Sequence, residues 1–367
     1  TILIGHRAQN VGSASRIVVS SAVARDNVEL EEARKRDIPV ITRGTMLAEM
    51  MNRRKGVAVA GTHGKTTTTA MIARIVQDAG LDPAVLIGGE DMSTNLNAAF
   101  GRGDYFVSES DESDGSFLEL RPFVGIVTNI ELDHVDRYHD LASLVVSFRR
   151  FIEQVDRSGA IVIGVDNPVS ATLAQSIDDR PIVTTGLTAG ASFNAAGHVT
   201  LQNFGSRFDV LDRQGAVVAP GVELAAPGMH NIQNALCAIG AARAIDIPFD
   251  VITRSLRAFR GVHRRFEILT TSERMIVVDD YAHHPTAIAL TIAAAREYYQ
   301  GPIVVAFQPH RYSRTAALAD EFADALSAAD EILVSAIYGA GEAPIEGLTS
   351  ERLVERVRAN GKRCLLY

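Results

Sequence analysis

The chain has 367 residues, of which 47% are hydrophobic and 22% charged, a globular composition that excludes fibrous and disordered classes. Its net charge of −8 argues against a general nucleic-acid binder. Two cysteines, Cys237 and Cys364, stand far apart in no metal-binding spacing, so we expect free thiols in a reducing compartment.

No apolar run has the length of a transmembrane helix, and no basic and apolar leader opens the chain. We therefore expect a cytoplasmic protein without membrane partners. The chain starts at Thr1 and stops at Tyr367 inside apolar stretches, so we expect it to be a piece of a longer protein. Its length predicts two or three domains.

Residues 1–54 have the pattern of part of a small α/β domain. Short apolar runs predict strands, and charged runs at helical spacing predict helices. The predicted strands are Ile17–Ser20 and Pro39–Ile41, and the predicted helices are Asn27–Arg36 and Thr45–Met51.

Residues 55–259 have the pattern of a mainly parallel sheet covered on both faces. Polar loops or helical stretches follow a series of short apolar runs: Val57–Ala60, Tyr105–Ser108, Gly125–Thr128 and Ala160–Gly164. The predicted helices include Thr66–Ala79 and Asn231–Ile245. Short alternating runs within 186–226 predict antiparallel strands at one edge of the sheet.

A basic segment containing a glycine, Phe259–Arg265, is a plausible linker to a third α/β domain. Three further runs, Met275–Val278, Ile303–Phe307 and Glu331–Val334, predict buried strands with helices between them. This third domain is predicted to span residues 260–367.

A phosphate-binding turn is the strongest local signal. The string Gly61-Thr62-His63-Gly64-Lys65-Thr66-Thr67 follows an apolar strand and opens a helix. Turn amides and a helix N-terminus form an anion cradle in that context, with Lys65 at the outer phosphates and the Thr66 hydroxyl on Mg²⁺. The residue five before Gly64 is Val59, so the spacing is shorter than that of a Walker A loop. A purely structural turn is the alternative.

Polar side chains also follow the next strands. Glu109 comes at the carboxyl end of one predicted strand and His134 follows another, so both are expected near Lys65 and a bound magnesium nucleotide. For Asp111, Glu112 and Asp114 a solvated loop is the favoured interpretation.

Two loops of the third domain follow strand ends in the same way. Asp279–Pro285 and Gln308–Arg314 are rich in histidine, tyrosine and arginine, and Arg311 and Arg314 suit a carboxylate or phosphate. Asn231 and Asn234 open a helix, either as caps or as amides facing a base or ribose.

In chain order, these motifs resemble those of the Mur ligase family of bacterial peptidoglycan synthesis. They are Gly61–Thr67, Thr128–His134, His230–Asn234, Arg264–Glu267 and Asp280–Pro285. Three strings are most similar to the alanine-adding branch: Asp111–Asp114, Asp280–Pro285 and, above all, Phe307–Arg314. Tyr338–Glu342 also fits that branch. The resemblance covers essentially the whole chain.

The resemblance implies a three-domain α/β architecture. Residues 1–54 would be a partial UDP-sugar-binding domain, 55–259 a central ATP-binding domain with a P-loop parallel sheet, and 260–367 a truncated, Rossmann-like amino-acid-binding domain. It also implies an ATP- and Mg²⁺-dependent ligase that joins L-alanine to the lactyl carboxylate of UDP-N-acetylmuramate through an acyl phosphate. Such an enzyme serves cell wall biogenesis, cell shape and cell division.

The same resemblance implies roles for individual residues. ATP would be bound by Gly61, Thr62, His63, Gly64, Lys65, Thr66, Thr67, Asn231, Asn234, Arg265 and Asp280. The metal ligands would be Thr66, Glu109 and His134. The substrates would contact His134, Tyr281, His283, Arg311 and Arg314, and the catalytic residues would be Lys65, Glu109, His134 and His283.

The sequence departs from the family at two places. The glycine-rich strand–turn–helix that cradles the UDP pyrophosphate is not contained in the chain, and residues 141–158 hold no lysine that could be carbamylated. Three alternatives stay open: a sibling ligase adding another amino acid or a peptide, a P-loop ATPase or nucleotide switch, and a non-enzymatic scaffold.

Overall fold

A computed structural model describes residues 1–20, 22–133, 137–202 and 204–367. Within these ranges the α-helices α1–α11 are Val28–Lys35, Arg43–Met51, Lys65–Asp78, Leu141–Glu153, Pro168–Gln175, Met229–Arg243, Phe249–Ala258, Pro285–Tyr298, Tyr312–Ala317, Ala319–Leu326 and Ser350–Ala359. Short 3₁₀ helices lie at Ala8–Val11 and Ser116–Glu119. The strands β1–β17 are Ile17–Val19, Val40–Thr42, Lys55–Ala60, Ala84–Asp91, Leu96–Ala99, Tyr105–Glu109, Val124–Val127, Ala160–Gly164, Ile182–Gly186, Phe193–Leu201, Gly205–Asp212, Val217–Leu224, Glu267–Thr271, Ile276–Asp279, Val304–Phe307, Glu331–Val334 and Arg363–Leu366.

One large sheet dominates the described part of the chain, in the order β12-β11-β10-β9-β8-β7-β3-β6-β4-β5. The strands from β10 to β4 pair in parallel, whereas β11, β12 and β5 are antiparallel. The antiparallel edge predicted within residues 186–226 is confirmed. The β4–β5 hairpin at the other edge was not predicted, because Gly88 and Gly89 interrupt its apolar pattern.

Helices cover both faces of this sheet, which explains why its parallel strands are almost continuously apolar. Helices α3, α6 and α7 bury residues such as Met71 and Leu236 against one face. Helices α2, α4 and α5 cover the other face, where the rings of Phe117, Phe148 and Phe151 pack together. The carboxyl ends of β3, β6 and β7 therefore open at one edge between two packed layers.

The flanking parts of the chain are smaller. At the N-terminus β1 and β2 form a parallel pair. At the C-terminus β15, β16 and β17 form a parallel sheet against which α8, α10 and α11 pack. Among the described residues, no helix combines the length and the apolar character needed to cross a membrane.

A strand is present where Met275–Val278 was predicted, but the prediction that it is buried is wrong. Strand β14 begins one residue later, at Ile276, and pairs antiparallel with β13. Its residues are half-buried and Met275 is exposed. The apolar run is therefore one strand of a two-stranded antiparallel ribbon, which follows the linker in the chain.

The aromatic cluster beneath α4 supplies a stability test. Phe151 is fully buried and stacks on Phe117, whereas Val146 on the same helix is 50% exposed. We expect Phe151→Ala to lower the free energy of unfolding by about 3–5 kcal/mol, because it leaves a cavity. Val146→Ala should change it by less than about 0.5 kcal/mol. Urea denaturation measures both, and equal effects would contradict this packing.

Candidate active site

The turn between β3 and α3 needs glycine at two positions. Gly61 has φ +132°, and a Cβ there would lie 2.1 Å from the Thr128 hydroxyl oxygen. Gly64 has φ +80°, and a Cβ there would lie 2.1 Å from Asn234 Oδ1. The first amides of a helix lack partners within it, so those of α3 are available to an anion.

Hydrogen bonds hold this turn against the loop that follows β7. Asn129 accepts from the Thr62 amide at 3.0 Å, and its side chain both accepts from the His63 amide and donates to the His63 carbonyl. The Thr128 hydroxyl donates to the same carbonyl at 2.6 Å. The Thr62 hydroxyl accepts from the Glu131 amide and donates to its carbonyl. The two loops therefore move as one unit.

Lys65 forms a buried ion pair with Glu112. Its Nζ lies 2.9 and 3.0 Å from the two carboxylate oxygens and 2.7 Å from the Gly61 carbonyl. Burial raises the pKa of Glu112 to about 7, although the Lys65 charge opposes this. Burial lowers the pKa of Lys65, but the charges of Glu112, Asp111 and Glu109 outweigh it, and the pKa is raised.

The solvated-loop interpretation of Glu112 is therefore wrong, since its side chain is 2% exposed. Asp111 is half-buried and Asp114 is exposed. Glu112 follows β6 by three residues, and the chain turns inward there because Phe117 is anchored in the core.

Thr66 and Glu109 lie together, as the sequence predicts. The Thr66 hydroxyl donates to Glu109 Oε2 at 2.8 Å, and the Gly88 amide donates to the same oxygen at 3.0 Å. Arg265 reaches across from the linker, and its Nη2 lies 3.3 Å from the Thr66 hydroxyl. A hydroxyl beside a carboxylate matches the oxygen ligands that Mg²⁺ prefers.

His134 lies outside the described residues, so its predicted contact with metal and substrate stays a prediction. Its neighbour Asp133 is described and is 7% exposed. Arg314 Nε and Nη2 donate to Asp133 at 3.1 and 3.0 Å. This bidentate pair joins the central and C-terminal parts of the chain.

Helix α6 places two amides below the phosphate turn. Asn231 donates to the Pro227 carbonyl at 2.7 Å, and Asn234 donates to Asn231 Oδ1 at 3.2 Å. Nearby, Asp166 accepts from Gln233 at 2.7 Å. Both asparagines are buried and face the same cavity.

The loop after β14 carries the next residues. Asp280 accepts from the Phe266 and Ala282 amides, and burial raises its pKa. Tyr281 lies under the guanidinium of Arg265. His283 Nδ1 donates to the Tyr281 carbonyl at 2.8 Å; burial and then the Arg314 charge lower its pKa to about 3. His283 is therefore a neutral ring.

Arg311 lies across the cavity from these groups. It precedes α9 with φ +72°, and its Nη1 is 3.7 Å from Glu342 Oε1. Glu342 also accepts from the Ser313 amide and hydroxyl, which fixes the carboxylate. The Arg311 side chain is 34% exposed.

One cavity of about 620 Å³ joins the phosphate turn to the C-terminal loops. The predicted residues that line it are Thr62, His63, Gly64, Lys65, Thr66, Thr67, Glu109, Asn231, Asn234, Arg265, Asp280, Tyr281, His283, Arg311 and Arg314. Gly61 is buried behind the turn.

Sequence reasoning did not single out several other residues of this cavity. Glu131, Asp166, His284, Thr286 and His310 also line it. The signal for Asp166 was available, because it follows the end of β8, where ligand sites of parallel sheets gather. Glu131 and His284 were within quoted motifs, but only the folded chain shows that they meet.

The comparisons with known proteins show the family of the chain. Residues 1–55 match the Mur ligase family catalytic domain, 59–242 the Mur ligase middle domain and 264–367 the Mur ligase glutamate ligase domain. The chain belongs to the Mur ligase family, and the predicted family, α/β class and three-domain architecture are confirmed.

Individual relatives span nearly the whole chain. A UDP-N-acetylmuramate–L-alanine ligase of Geobacter sp. is 45% identical over 99% of this chain and 78% of its own length. One from Acidithiobacillus ferrooxidans is 46% identical over 98% and 78%. The crystal structure of a UDP-N-acetylmuramate–alanine ligase from Thermotoga maritima superposes with a TM-score of 0.82 at 29% identity, over 99% of this chain and 79% of that one.

Breaking the Lys65–Glu112 ion pair should have opposite effects on the stability of the protein and on its affinity for nucleotide. At a pH above 7, where Glu112 is ionised, we expect Glu112→Gln to lower the free energy of unfolding by about 1–3 kcal/mol, because Lys65 loses a charged partner. The same change should tighten ATP binding by about tenfold, since phosphate no longer competes with Glu112 for Lys65.

Urea denaturation and isothermal titration calorimetry measure the two effects. The matched control is Asp114→Asn on the exposed part of the same loop, which should alter neither quantity. Weaker ATP binding by Glu112→Gln would contradict the competition and mean that Glu112 itself assists the nucleotide.

Because His230 is buried, we expect the protein to lose stability in acid. Burial lowers its pKa from 6.5 to about 4. The unfolded chain binds the proton first, so stability falls as the pH drops through that window. We expect His230→Gln to reduce the slope by up to about 1.4 kcal/mol per pH unit in urea denaturation series. An unchanged slope would show that other groups control the acid transition.

Proposed function

We propose that the chain ligates L-alanine to the lactyl carboxylate of UDP-N-acetylmuramate, using ATP and an acyl phosphate intermediate, in peptidoglycan precursor synthesis. The observation that carries this proposal is the single cavity in which a phosphate turn faces Tyr281, His283 and Arg311. A nucleotide switch would use the phosphate turn, but it would leave Tyr281, His283 and Arg311 without a function. The relatives named as UDP-N-acetylmuramate–L-alanine ligases support the choice of substrates.

Phosphoryl transfer would take place at the turn. The carboxylate oxygen attacks the γ-phosphorus in line, ADP leaves, and the acyl phosphate forms. Lys65 and the first amides of α3 offset the charge on the phosphoryl oxygens. Thr66 and Glu109, with His134, would hold Mg²⁺, which offsets charge on the same oxygens when bound. Arg265 adds a positive charge beside Thr66.

The second half-reaction would take place between the turn and the C-terminal loops. The neutral amine of L-alanine attacks the acyl carbon, and phosphate leaves from the tetrahedral intermediate and takes up the proton that the nitrogen loses. His283 accepts a hydrogen bond from the amine through Nε2, because its Nδ1 proton is held by the Tyr281 carbonyl. With a pKa near 3 it orients the amine more effectively than it removes a proton.

The carboxylate of L-alanine would lie between the two arginines. The Arg311 side chain is 34% exposed, lines the cavity, and has Nη1 at 3.7 Å from Glu342 Oε1. Arg314 is engaged with Asp133 through Nε and Nη2, and its Nη1 is 3.5 Å from the His310 carbonyl, so Nη1 is the donor left for a carboxylate. We therefore assign Arg311 the larger part in binding, and Arg314 the smaller.

The same proposal assigns a role to each domain. Residues 1–54 would bind part of the UDP-sugar, residues 55–259 would bind ATP, and residues 260–367 would bind the amino acid. Asn231, Asn234 and Asp280 would lie on the adenosine side of the ATP. The reaction would take place in the cytoplasm and serve cell wall biogenesis, cell shape and cell division.

Phosphate release tests this proposal. Protein with ATP and Mg²⁺ is given UDP-N-acetylmuramate together with L-alanine, L-serine, glycine or D-glutamate in turn. We expect release to require the sugar nucleotide and to be fastest with L-alanine. Release without the sugar nucleotide would support a nucleotide switch, and dependence on another amino acid would support a sibling ligase.

Variants separate the two half-sites in the same assay. Lys65→Ala should lower kcat by at least about 100-fold, because the charge acts in the transition state. Arg311→Ala should raise the KM for L-alanine by roughly tenfold or more while the KM for ATP stays constant. The exposed Lys35→Ala is the control, expected to keep full activity.

A further inference from the structure

Three side chains with metal-ligating atoms meet where the phosphate turn touches the C-terminal part of the chain. They are His63 of the turn, Glu131 of the loop after β7, and His284 at the start of α8. Their ligand atoms all lie within 4.8 Å of one another, and this is the one such group found among the residues that the structure describes.

The contacts within the group are close and largely shielded from water. His63 Nε2 lies 3.1 Å from Glu131 Oε2, and the His63 and His284 rings are 4.7 Å apart between centroids. The Thr286 hydroxyl donates to Glu131 Oε2 at 2.7 Å. His284 is 6% exposed, and its buried Nε2 has no hydrogen-bond partner. A buried nitrogen without a partner is costly, so it marks a place for a ligand.

We propose that His63, Glu131 and His284 form a site for a divalent transition metal of the Zn²⁺ type. Two imidazoles and one carboxylate are a ligand set that zinc takes in proteins. With metal–ligand bonds of about 2.0–2.2 Å, a tetrahedral ion holds its ligand atoms about 3.3 Å apart. The 3.1 Å between His63 and Glu131 matches that spacing, and the ligand atom of His284, which lies within 4.8 Å of the other two, would move closer to complete the set.

This site differs in chemistry from the magnesium ligands proposed above. Thr66 and Glu109 offer only oxygen, which suits Mg²⁺, whereas two imidazole nitrogens favour Zn²⁺, Co²⁺ or Ni²⁺. The two cysteines do not compete, since Cys364 is remote in the third domain and burial raises the pKa of Cys237 to about 11, which keeps it a thiol.

The protonation states suit metal binding. Burial lowers the pKa of His284 to about 4, so the ring is neutral. Burial raises the pKa of Glu131, but the bonds from His63 and Thr286 outweigh it and lower the pKa to about 2, so the carboxylate is ionised. Binding through Nε2 moves the imidazole proton of His284 to Nδ1. This gives up only the 3.3 Å contact from the Thr286 amide.

A bound ion would tie two parts of the chain together. His63 and Glu131 belong to the central domain, and His284 opens the first helix after β14. The ion would therefore lock the phosphate turn to the C-terminal domain and slow any opening that turnover requires.

Cobalt absorption tests the proposal without any activity readout. Co²⁺ is titrated into the protein in excess Mg²⁺, and we expect the visible bands of tetrahedral Co²⁺, which Zn²⁺ then displaces. His284→Asn keeps a helix-capping side chain and removes the imidazole. This variant and Glu131→Gln should each weaken Co²⁺ binding by at least about 100-fold. Zn²⁺ should raise the melting temperature of the parent but not of these variants.

Two controls locate the ion. His283→Asn removes the adjacent imidazole and Glu109→Gln removes the predicted magnesium carboxylate, and both should keep the cobalt spectrum. Melting temperatures of the metal-free variants verify that each is folded. Loss of the bands in Glu109→Gln with retention in His284→Asn would overturn the proposal, as would a weak octahedral spectrum that no variant alters.

Discussion

The hydrogen bonds between the phosphate turn and the loop after β7 are the constraint on which the rest of the site depends. The amides that open α3 face a phosphate only while Gly61 and Gly64 keep their positive φ. Asn129 and Thr128 hold that geometry through the His63 amide and carbonyl. The glycines are required because Thr128 and Asn234 occupy the space that a Cβ would need. The shape of the turn is thus set by backbone packing and by hydrogen bonds within the chain.

The same loop after β7 also carries the connection to the C-terminal domain. Glu131 accepts from Thr286, and Asp133 binds Arg314 in a bidentate pair. Buried ion pairs contribute little net stability, but breaking one is expensive because a charge stays uncompensated. These contacts therefore specify how the two halves of the cavity face each other more than they stabilise the fold. The turn at Gly61–Thr67 and the C-terminal loops that face it are therefore both held by the loop after β7.

Much of the site was predictable because parallel strands gather their carboxyl ends at one edge. Lys65, Thr66 and Glu109 each follow or end such a strand, and their meeting follows from strand adjacency alone. Glu112 was not predictable in this way. A run of acids in sequence looks solvated, and only the folded chain shows that this one residue faces inward to Lys65. The prediction of a buried strand at Met275–Val278 was wrong for a related reason. An apolar run does not show which ribbon or sheet its strand joins.

By itself, the sequence determined the α/β class, the turn at Gly61–Thr67 and the family, because these depend on local periodicity and on short strings of residues. The tertiary structure alone decided that Arg314 faces Asp133, that Glu112 faces Lys65, and that His63, Glu131 and His284 meet. These pairings join residues far apart in the chain, and their free energies depend on burial and on distances of a few ångströms, which no local pattern encodes.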